Sequence, residues 1–469
     1  MNKPLKVKLH ILSPVHIGCD DVYEPTSFVI DEKKKKLIEF DPLEFIKSLS
    51  AQDRKKFTDI CMQGNITSIV NIYKFLSNRQ IKGREVEIAN ELVTHYKKVR
   101  DLPTNNEGRI KQELNQFTIS RTAYNSHNNL PYIPGSSIKG AMRTGYLSQL
   151  AVEKKITGRR DKAKDLETEL LGGSFDRDPF RMVKVSDFLP VGEVKTKIVY
   201  AVNKKKKASN YEARGPFQVV EAVEKGSIFE GLINIETPEK MAGIDESIDI
   251  ENLLKSINGF YNKTFEQEQK VLKEINAGSV KRDDAFLEST IIRIGRHSGA
   301  ESVTIEGNRH IKIMKARREF EFSDHATTLW LASETSKPTS NNGIIPFGWA
   351  LLEIIPFDIK NIYPSPIVTP EQLITKTEEA VVKKEAIPVT KTIQSQTILW
   401  ENAQLSWSHG DLTLKANNKA ILKFKSLDEV KKFVPESFHK KLFDKRDSIK
   451  ANIKVEQTGN AFKIISIET

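Results

Sequence analysis

Cysteine is nearly absent from this 469-residue chain, with only Cys19 and Cys61 present. That excludes a disulfide scaffold and a cysteine-rich zinc centre, and it makes a reducing cytoplasm the expected setting. No run of about 18 apolar residues occurs, so no membrane-spanning helix is expected. The opening MNKPLKVKLHILSPVHIG turns polar before an apolar signal-peptide core could form, so no signal peptide is expected either. A Gly-Lys-Ser/Thr phosphate loop, a dinucleotide fingerprint, a zinc motif and a Ser-His-Asp spacing are all missing. Nothing in the sequence therefore points to nucleotide-driven, redox or triad chemistry.

What the chain does have is positive charge and length. Its formal net charge is +11. Such a balance suits a polyanionic partner, because neutralised phosphates release their counterions, but a solvated lysine-rich surface would read the same. The length exceeds what one hydrophobic core usually fills, so two or more large units are expected.

Leu5, Val7, Leu9 and Ile11 alternate with polar residues, the period of a half-buried strand. SFVIDEKKKKLIEFD reads as a hairpin with a charged turn. Asp41-Pro42 starts a helix whose apolar positions are Leu43, Ile46 and Leu49. Residues 51–118 read as helical and irregular by turns. Strands follow in RMVKVSDFLP and KIVYAV, a hairpin in residues 215–236, a helix over 247–277, and strands in VTIEGNRHIKIMKAR and WALLEIIPF. The pattern of strand, helix and strand pair thus occurs twice, without a repeat in the sequence itself. Residues 367–397 lack aromatics and read as a flexible linker. Residues 398–469 read as a small β-rich appendix. It holds a turn at His409-Gly410, a short helix in KSLDEVKKFVPE and a closing hairpin.

The sharpest local motif is YIPGSSIKGAMRTGYLSQL, residues 132–150. Pro134-Gly135 makes a turn, and Ser136 or Ser137 is positioned to cap the helix that follows. Ile138, Ala141, Met142 and Gly145 fall on one face, which is expected to be buried. Lys139 and Arg143 share another face. A glycine turn, free N–H groups and two cations make a phosphate site; an ordinary amphipathic helix with solvated cations is the plain alternative. A second stretch, RIGRHSGAESVTIEGNRH (293–310), joins Gly295, Gly299 and Gly307 to Arg293, Arg296 and His297. It is either a backbone-close RNA loop or a structural hairpin. A third, NKKKKASNYEARGPF, sets Lys204 and Lys205 near Tyr211 and Arg214. Basic groups beside aromatics suit single-stranded RNA, although such runs are usually solvated loops.

PGSSIKGAMR at 134–143 resembles a signature of the RAMP superfamily of CRISPR RNA-binding proteins. SPVHIG at 13–18 and YEPTSFVID at 23–31 resemble that superfamily's opening. Together with DPFRMVKVSDF (178–188) and FGWALLEIIP (347–356), the set is most similar to the fifth-subunit family of the Csm complex of type III-A CRISPR effectors. The likeness runs over roughly residues 1–360 as spaced motifs. It implies an α+β fold of tandem ferredoxin-like (RRM-related) domains with helical insertions, over 1–175 and 176–366, followed by the linker and the appendix. It also implies a non-catalytic subunit that binds the 3′ side of the guide RNA (crRNA), caps the filament of backbone subunits, and serves crRNA maturation and antiviral defence. The implied partners are crRNA, the backbone and small subunits, and target RNA indirectly; no cofactor, metal or membrane is implied.

The RNA-contacting candidates are Ser13, His16, Ser136, Ser137, Lys139, Arg143, Arg181, Lys184, Lys204, Lys205, Arg214, Arg293, Arg296 and His297. His16 is the one suspect for catalysis, because metal-independent RAMP nucleases use histidine as a general acid or base. No second histidine lies near it in sequence. Asp20, Asp21 and Asp31 are candidates for metal-dependent cleavage like that of the related backbone subunits. A packing or RNA-neighbouring role is expected for His16, and no catalytic role for it or for the three aspartates. A metal-independent endoribonuclease that processes precursor crRNA is the alternative, and a stand-alone RNA-binding module is a third reading.

Overall fold

The computed structural model describes residues 4–355 and 396–468, apart from 159, 161, 174, 208–212, 214, 239–242, 245–246, 283–288, 316–318, 409–410, 417–418, 425–433, 445–446 and 459–460. The expected linker falls almost wholly outside the described residues. So do Tyr211, Arg214, the His409-Gly410 turn and most of the KSLDEVKKFVPE helix. The chain is a mixed α and β protein of two compact units, Met1–Tyr363 and Pro364–Thr469. Among the described residues no helix is long and apolar enough to cross a membrane.

In the first unit, strand Leu5–Ile11 buries Val7, Leu9 and Ile11, as its alternation requires. It is the middle of an antiparallel sheet, paired with Ile228–Ile235 on one side and Trp349–Ile355 on the other. Thr290–Arg293 and Val183–Val185 extend that sheet. Two helices cover it, Gly135–Glu153 and Ile250–Glu274. The second helix is capped by Asp249, and Leu253, Ile257, Tyr261 and Leu272 form its buried stripe. Each fully buried aliphatic or aromatic side chain in this layer contributes about 1.5–3 kcal/mol.

The second sheet runs Gly18–Val22, Ile119–Thr122, Gln218–Val223, Thr196–Lys205, Arg84–Ile88, Lys36–Glu39 and Phe28–Asp31, with Thr328–Ser333 also on Thr196–Lys205. Both sheets draw strands from either side of residue 175, so the sheets do not follow the sequence halves. Segment Leu12–Ile17 links them. Leu12 donates to the Trp349 carbonyl in the first sheet, and Val15 exchanges hydrogen bonds with Val223 in the second.

Three local expectations need correction. Helix Pro42–Ser48 is capped by Asp41 as expected, but it buries Phe45, while Leu43 is 67% exposed. Phe45 packs against Phe40 and Phe57, and that aromatic cluster fixes which face turns inward. Strand Arg84–Ile88 lies inside the stretch read as helical and irregular. Its exposed face carries Glu85 and Glu87, which pair with Lys34 and Lys36, and they alternate with buried Val86 and Ile88, a strand period too short to stand out in a highly charged stretch. In VTIEGNRHIKIMKAR only Ile311–Met314 is a strand, because Ala300–Val303 closes a 3₁₀ turn and Gly307 takes a left-handed φ of 76°.

The second unit is a five-stranded antiparallel sheet in the order Lys419–Phe424, Asp411–Ala416, Gln396–Ser408, Ile449–Thr458, Ala461–Glu468. A helical segment, Glu436–His439 followed by Lys440–Asp444, packs Leu442 with Leu405, Ile449 and Ile453.

Candidate nucleic-acid interface

Three segments far apart in sequence meet in one cleft of about 370 Å³. They are Ile17–Gly18, the first turns of helix Gly135–Glu153, and Arg293–Val303. Each is held there by backbone bonds. Ser13 is fully buried, and its Oγ accepts from the Trp349 N–H at 3.0 Å. The His16 ring nitrogen Nδ1 lies 2.7 Å from the Glu221 carbonyl. The His16 carbonyl in turn accepts from Arg296 N–H at 2.8 Å. That approach requires Gly295, whose φ is 82° and where a Cβ would sit 2.6 Å from the same carbonyl.

The helix enters through Ile133, which exchanges hydrogen bonds with Phe188. Neither Ser136 nor Ser137 caps it: the cap position is Pro134, with no side-chain cap bond. Instead the Gly135 N–H donates to Asp187 at 2.8 Å. That carboxylate occupies the first free donor, which sequence reasoning had left for a phosphate. Ser136 and Gly140 are exposed on the cleft side, and Ser137 and Thr144 line it half-buried. Ile138, Met142 and Gly145 are buried, as expected, while Ala141 is half-buried. The Tyr261 hydroxyl lies 3.1 Å from the Ala141 carbonyl and 3.2 Å from that of Ser302, tying both helices to the glycine-bearing loop.

The candidate cations divide by what already holds them. Arg293 is 4% exposed and bonds Glu268 at 2.6 Å, whose other oxygen accepts from the Trp349 indole N–H at 2.7 Å. It braces the core, which corrects its reading as an RNA contact. Arg143 is pinned by Glu167 at 2.6 Å and Asp178 at 2.8 Å, with its side chain 22% exposed. The expected convergence of Lys139 and Arg143 on the helix start therefore does not occur. Lys139 is different: among the described residues it forms no ion pair. Burial lowers its ammonium below the usual lysine range, with Lys184 and Arg143 adding to the effect, so a phosphate here would relieve like-charge crowding. Arg296 bonds Asp20 at 2.7 Å, but both side chains are more than half exposed. A surface pair of this kind is worth about 0–1 kcal/mol, so an arriving phosphate can replace it.

The remaining candidates lie outside the cleft. Lys184 is exposed and pairs with Glu236 at 3.6 Å. Arg181 donates to the Asp176 carbonyl and lies over the Phe175 ring. Lys204 and Lys205 end a strand and are not in a loop, and Lys204 donates to the Pro338 carbonyl. His16 is 1% exposed, and His297 stacks on it with ring centroids 6.0 Å apart. Folding has thus brought His16 a histidine neighbour from 281 residues away in sequence. Burial lowers both rings, His297 to about 4, so both are neutral near pH 7.

A larger cleft of about 570 Å³ is lined by Asp20, Asp21, Glu24, Glu39, Asp41 and Glu44 against Lys82, Arg84 and Arg121. Six acids against three bases make it a poor host for phosphate. Asp31 accepts from Lys33 and Lys34 N–H groups in its hairpin turn. Among the described residues no three His, Cys, Asp or Glu side chains are arranged to hold a metal. Sequence reading missed Asp187, Glu268 and Tyr261. Glu268 was legible, because it occupies a place in the apolar stripe of Ile250–Glu274. It also missed Phe320–Ser323, the strand that pairs with Ile311–Met314, where exposed Phe320 and Phe322 carry Lys312 and His310 on their rings.

Residues 8–299 match the family model of the RAMP superfamily. The chain belongs to that superfamily. A curated relative from Methanocaldococcus jannaschii, described as CRISPR system Cms protein Csm5, is 29% identical over 203 residues, covering 41% of this chain and 44% of the relative. The match thus spans less than half of that relative's length. Two solved structures are also similar. One is a chain from the cryo-EM structure of a Csm-crRNA-target RNA ternary complex in a type III-A CRISPR-Cas system, with 17% identity, TM-score 0.47, and coverage of 75% of this chain and 100% of the other. The other is the crystal structure of T. onnurineus Csm5, with 16% identity, TM-score 0.42, and coverage of 73% and 99%.

Proposed function

We propose that this RAMP protein is a non-catalytic crRNA-binding subunit of a type III-A CRISPR effector, related to the fifth Csm subunit. In this reading it caps the backbone filament on the 3′ side of the guide and contributes to crRNA maturation and antiviral defence. Tandem ferredoxin-like units underlie its first 366 residues. The observation that carries the reading is the cleft itself: it gathers the superfamily's opening, its Pro-Gly-Ser-Ser helix and a glycine-bearing loop. There hydroxyls, an exposed Arg296 and the nearby Lys139 offer a backbone-reading surface without base-specific geometry. The test is reconstitution with backbone and small subunits and a guide RNA. Co-elution that depends on the guide's 3′ portion is expected; a chain that elutes alone contradicts the reading.

One observation favours the endoribonuclease alternative, the stacked His16 and His297. A general acid must be protonated and reach the leaving oxygen; both rings are neutral near pH 7, and His16 is buried. Metal-free incubation with repeat-containing RNA should leave it intact. Cleavage that His16→Ala abolishes would replace the binding reading.

A further inference from the structure

We infer that Gly140 is where the RNA strand lies directly on the backbone of helix Gly135–Glu153, so that this glycine serves a ligand and not the fold. The inference rests on the cleft being the RNA site, and it names a contact there that carries no charge.

Glycine is a poor choice inside a helix, because it gives up more backbone freedom than alanine and packs nothing. Helix Gly135–Glu153 nevertheless holds three glycines among its 19 residues. Two of them have reasons within the chain. A Cβ on Gly135 would lie 2.3 Å from the Val185 carbonyl oxygen, and one on Gly145 would lie 2.9 Å from the Ile257 Cα. The first lets the helix start against a neighbouring strand, and the second lets the two covering helices touch. Gly140 has no such reason. A Cβ there meets nothing within 4 Å, and its φ is not positive.

The open side of Gly140 is the cleft. The residue is exposed, and Ser136, Ser137 and Thr144, three or four positions away, line the same cleft. The Thr144 hydroxyl donates to the Gly140 carbonyl at 3.1 Å. The hydroxyls of Ser136 and Ser137 have no hydrogen-bond partner among the described residues. Arg296 lines the cleft too. A phosphate at Arg296 and a ribose hydroxyl at Ser136 or Ser137 require one strand to descend onto the helix, since hydroxyl bonds close only at about 2.5–3.0 Å. A methyl group at residue 140 stands in that approach. Gly259, exposed on helix Ile250–Glu274, is equally open but lines neither cleft described above. Openness alone therefore marks no site, and Gly259 provides the control.

The test compares the full chain with Gly140→Ala, Gly140→Leu, Gly259→Ala and Lys139→Ala/Arg296→Ala. The measurements are thermal melts and anisotropy with a fluorescent single-stranded RNA of guide length. Both alanine variants should melt above the parent, since each gains a better helix former. Gly140→Ala should nevertheless bind RNA about fivefold more weakly, the worth of one hydrogen bond. Gly140→Leu should lose about tenfold or more, and Gly259→Ala should bind as the parent does. Parent-like affinity in both Gly140 variants, while the charge variant binds weakly, overturns this inference and leaves the cleft reading standing. Parent-like affinity in the charge variant overturns the cleft reading, and the inference with it. A Gly140→Ala protein that melts below the parent shows that the glycine serves the fold, and equal weakening by Gly259→Ala shows an effect of helix propensity; either overturns the inference.

Discussion

A Cβ built on Gly18 would lie 2.2 Å from the Nε of Arg296. The opening motif and the glycine-bearing loop, 278 residues apart, are thus fitted to one another through a side chain and not only through backbone. Gly18→Ala should displace the Arg296 guanidinium and weaken RNA binding, with little change in melting temperature because that side chain is exposed. Gly295→Ala, at φ 82° and against the His16 carbonyl, should destabilise by about 1–3 kcal/mol. Thermal melts and anisotropy on both variants separate the effects. Equal melting losses would contradict this account.

Arg293, Glu268 and the Trp349 indole form a buried ionic cluster. Glu268→Gln keeps a partner for Arg293 but removes the countercharge, and Glu268→Ala removes both. Breaking one side of a buried pair costs about 3–5 kcal/mol. Urea unfolding should therefore show a large loss for Glu268→Ala and a smaller one for Glu268→Gln. A loss under about 1 kcal/mol for Glu268→Ala would show that the cluster is not bracing the core.

Lys139 and Arg143, one helical turn apart, should behave differently when truncated. Arg143→Ala leaves Glu167 and Asp178 without their shared partner and should lower the melting temperature. Lys139→Ala should leave stability unchanged or raise it slightly, since it relieves crowding with Lys184 and Arg143, and should weaken RNA binding several-fold. The opposite assignment of stability and affinity would refute the division drawn between them.

Much of the fold was legible because local period and tertiary burial agree. Leu5 to Ile11 and the Phe28–Asp31/Lys36–Glu39 hairpin formed as their alternation required. Of the stretches named from the chain, the opening motif, the Pro-Gly-Ser-Ser helix and the glycine-bearing loop line the cleft, and the lysine run that starts at Lys204 does not. What failed was the assignment of roles to cations. Nothing around Arg293 or Arg143 reveals that Glu268, Glu167 and Asp178 fold onto them, since those partners lie 24 to 35 residues away. The cap failed for a similar reason, because Asp187 reaches Gly135 from 52 residues downstream. The pairing of His16 with His297 is likewise set by the sheets' connectivity and leaves no local trace.

His297 gives the chain a pH dependence of known sign. Its ring is held by burial, with His16 and Arg296 adding, at about 4 against an ordinary 6.5. Between those values the unfolded chain binds the extra proton, so this contribution is complete above about pH 6.5 and is lost as pH falls toward 4. His297→Asn removes the titration and tolerates the left-handed φ of 65°. Melts from pH 7 to 4.5 should show a shallower decline for the variant. Parallel declines would place the sensitivity elsewhere.

In the proposed function RNA is held at the cleft by Arg296 and at its flank by Lys139. The direct measurement is a salt titration of anisotropy with a guide-length RNA. It compares the parent, Lys139→Ala/Arg296→Ala, and Lys55→Ala/Lys56→Ala, which removes the same charge from the exposed face of helix Ala51–Met62. Each lost phosphate contact should reduce the slope of log affinity against log salt by about 0.7 for a single strand. The cleft variant should therefore lose about 1.4 in slope and about tenfold or more in affinity, and the helix variant almost nothing. If the two variants lose slope and affinity equally, binding follows net charge alone and the cleft is not the RNA site.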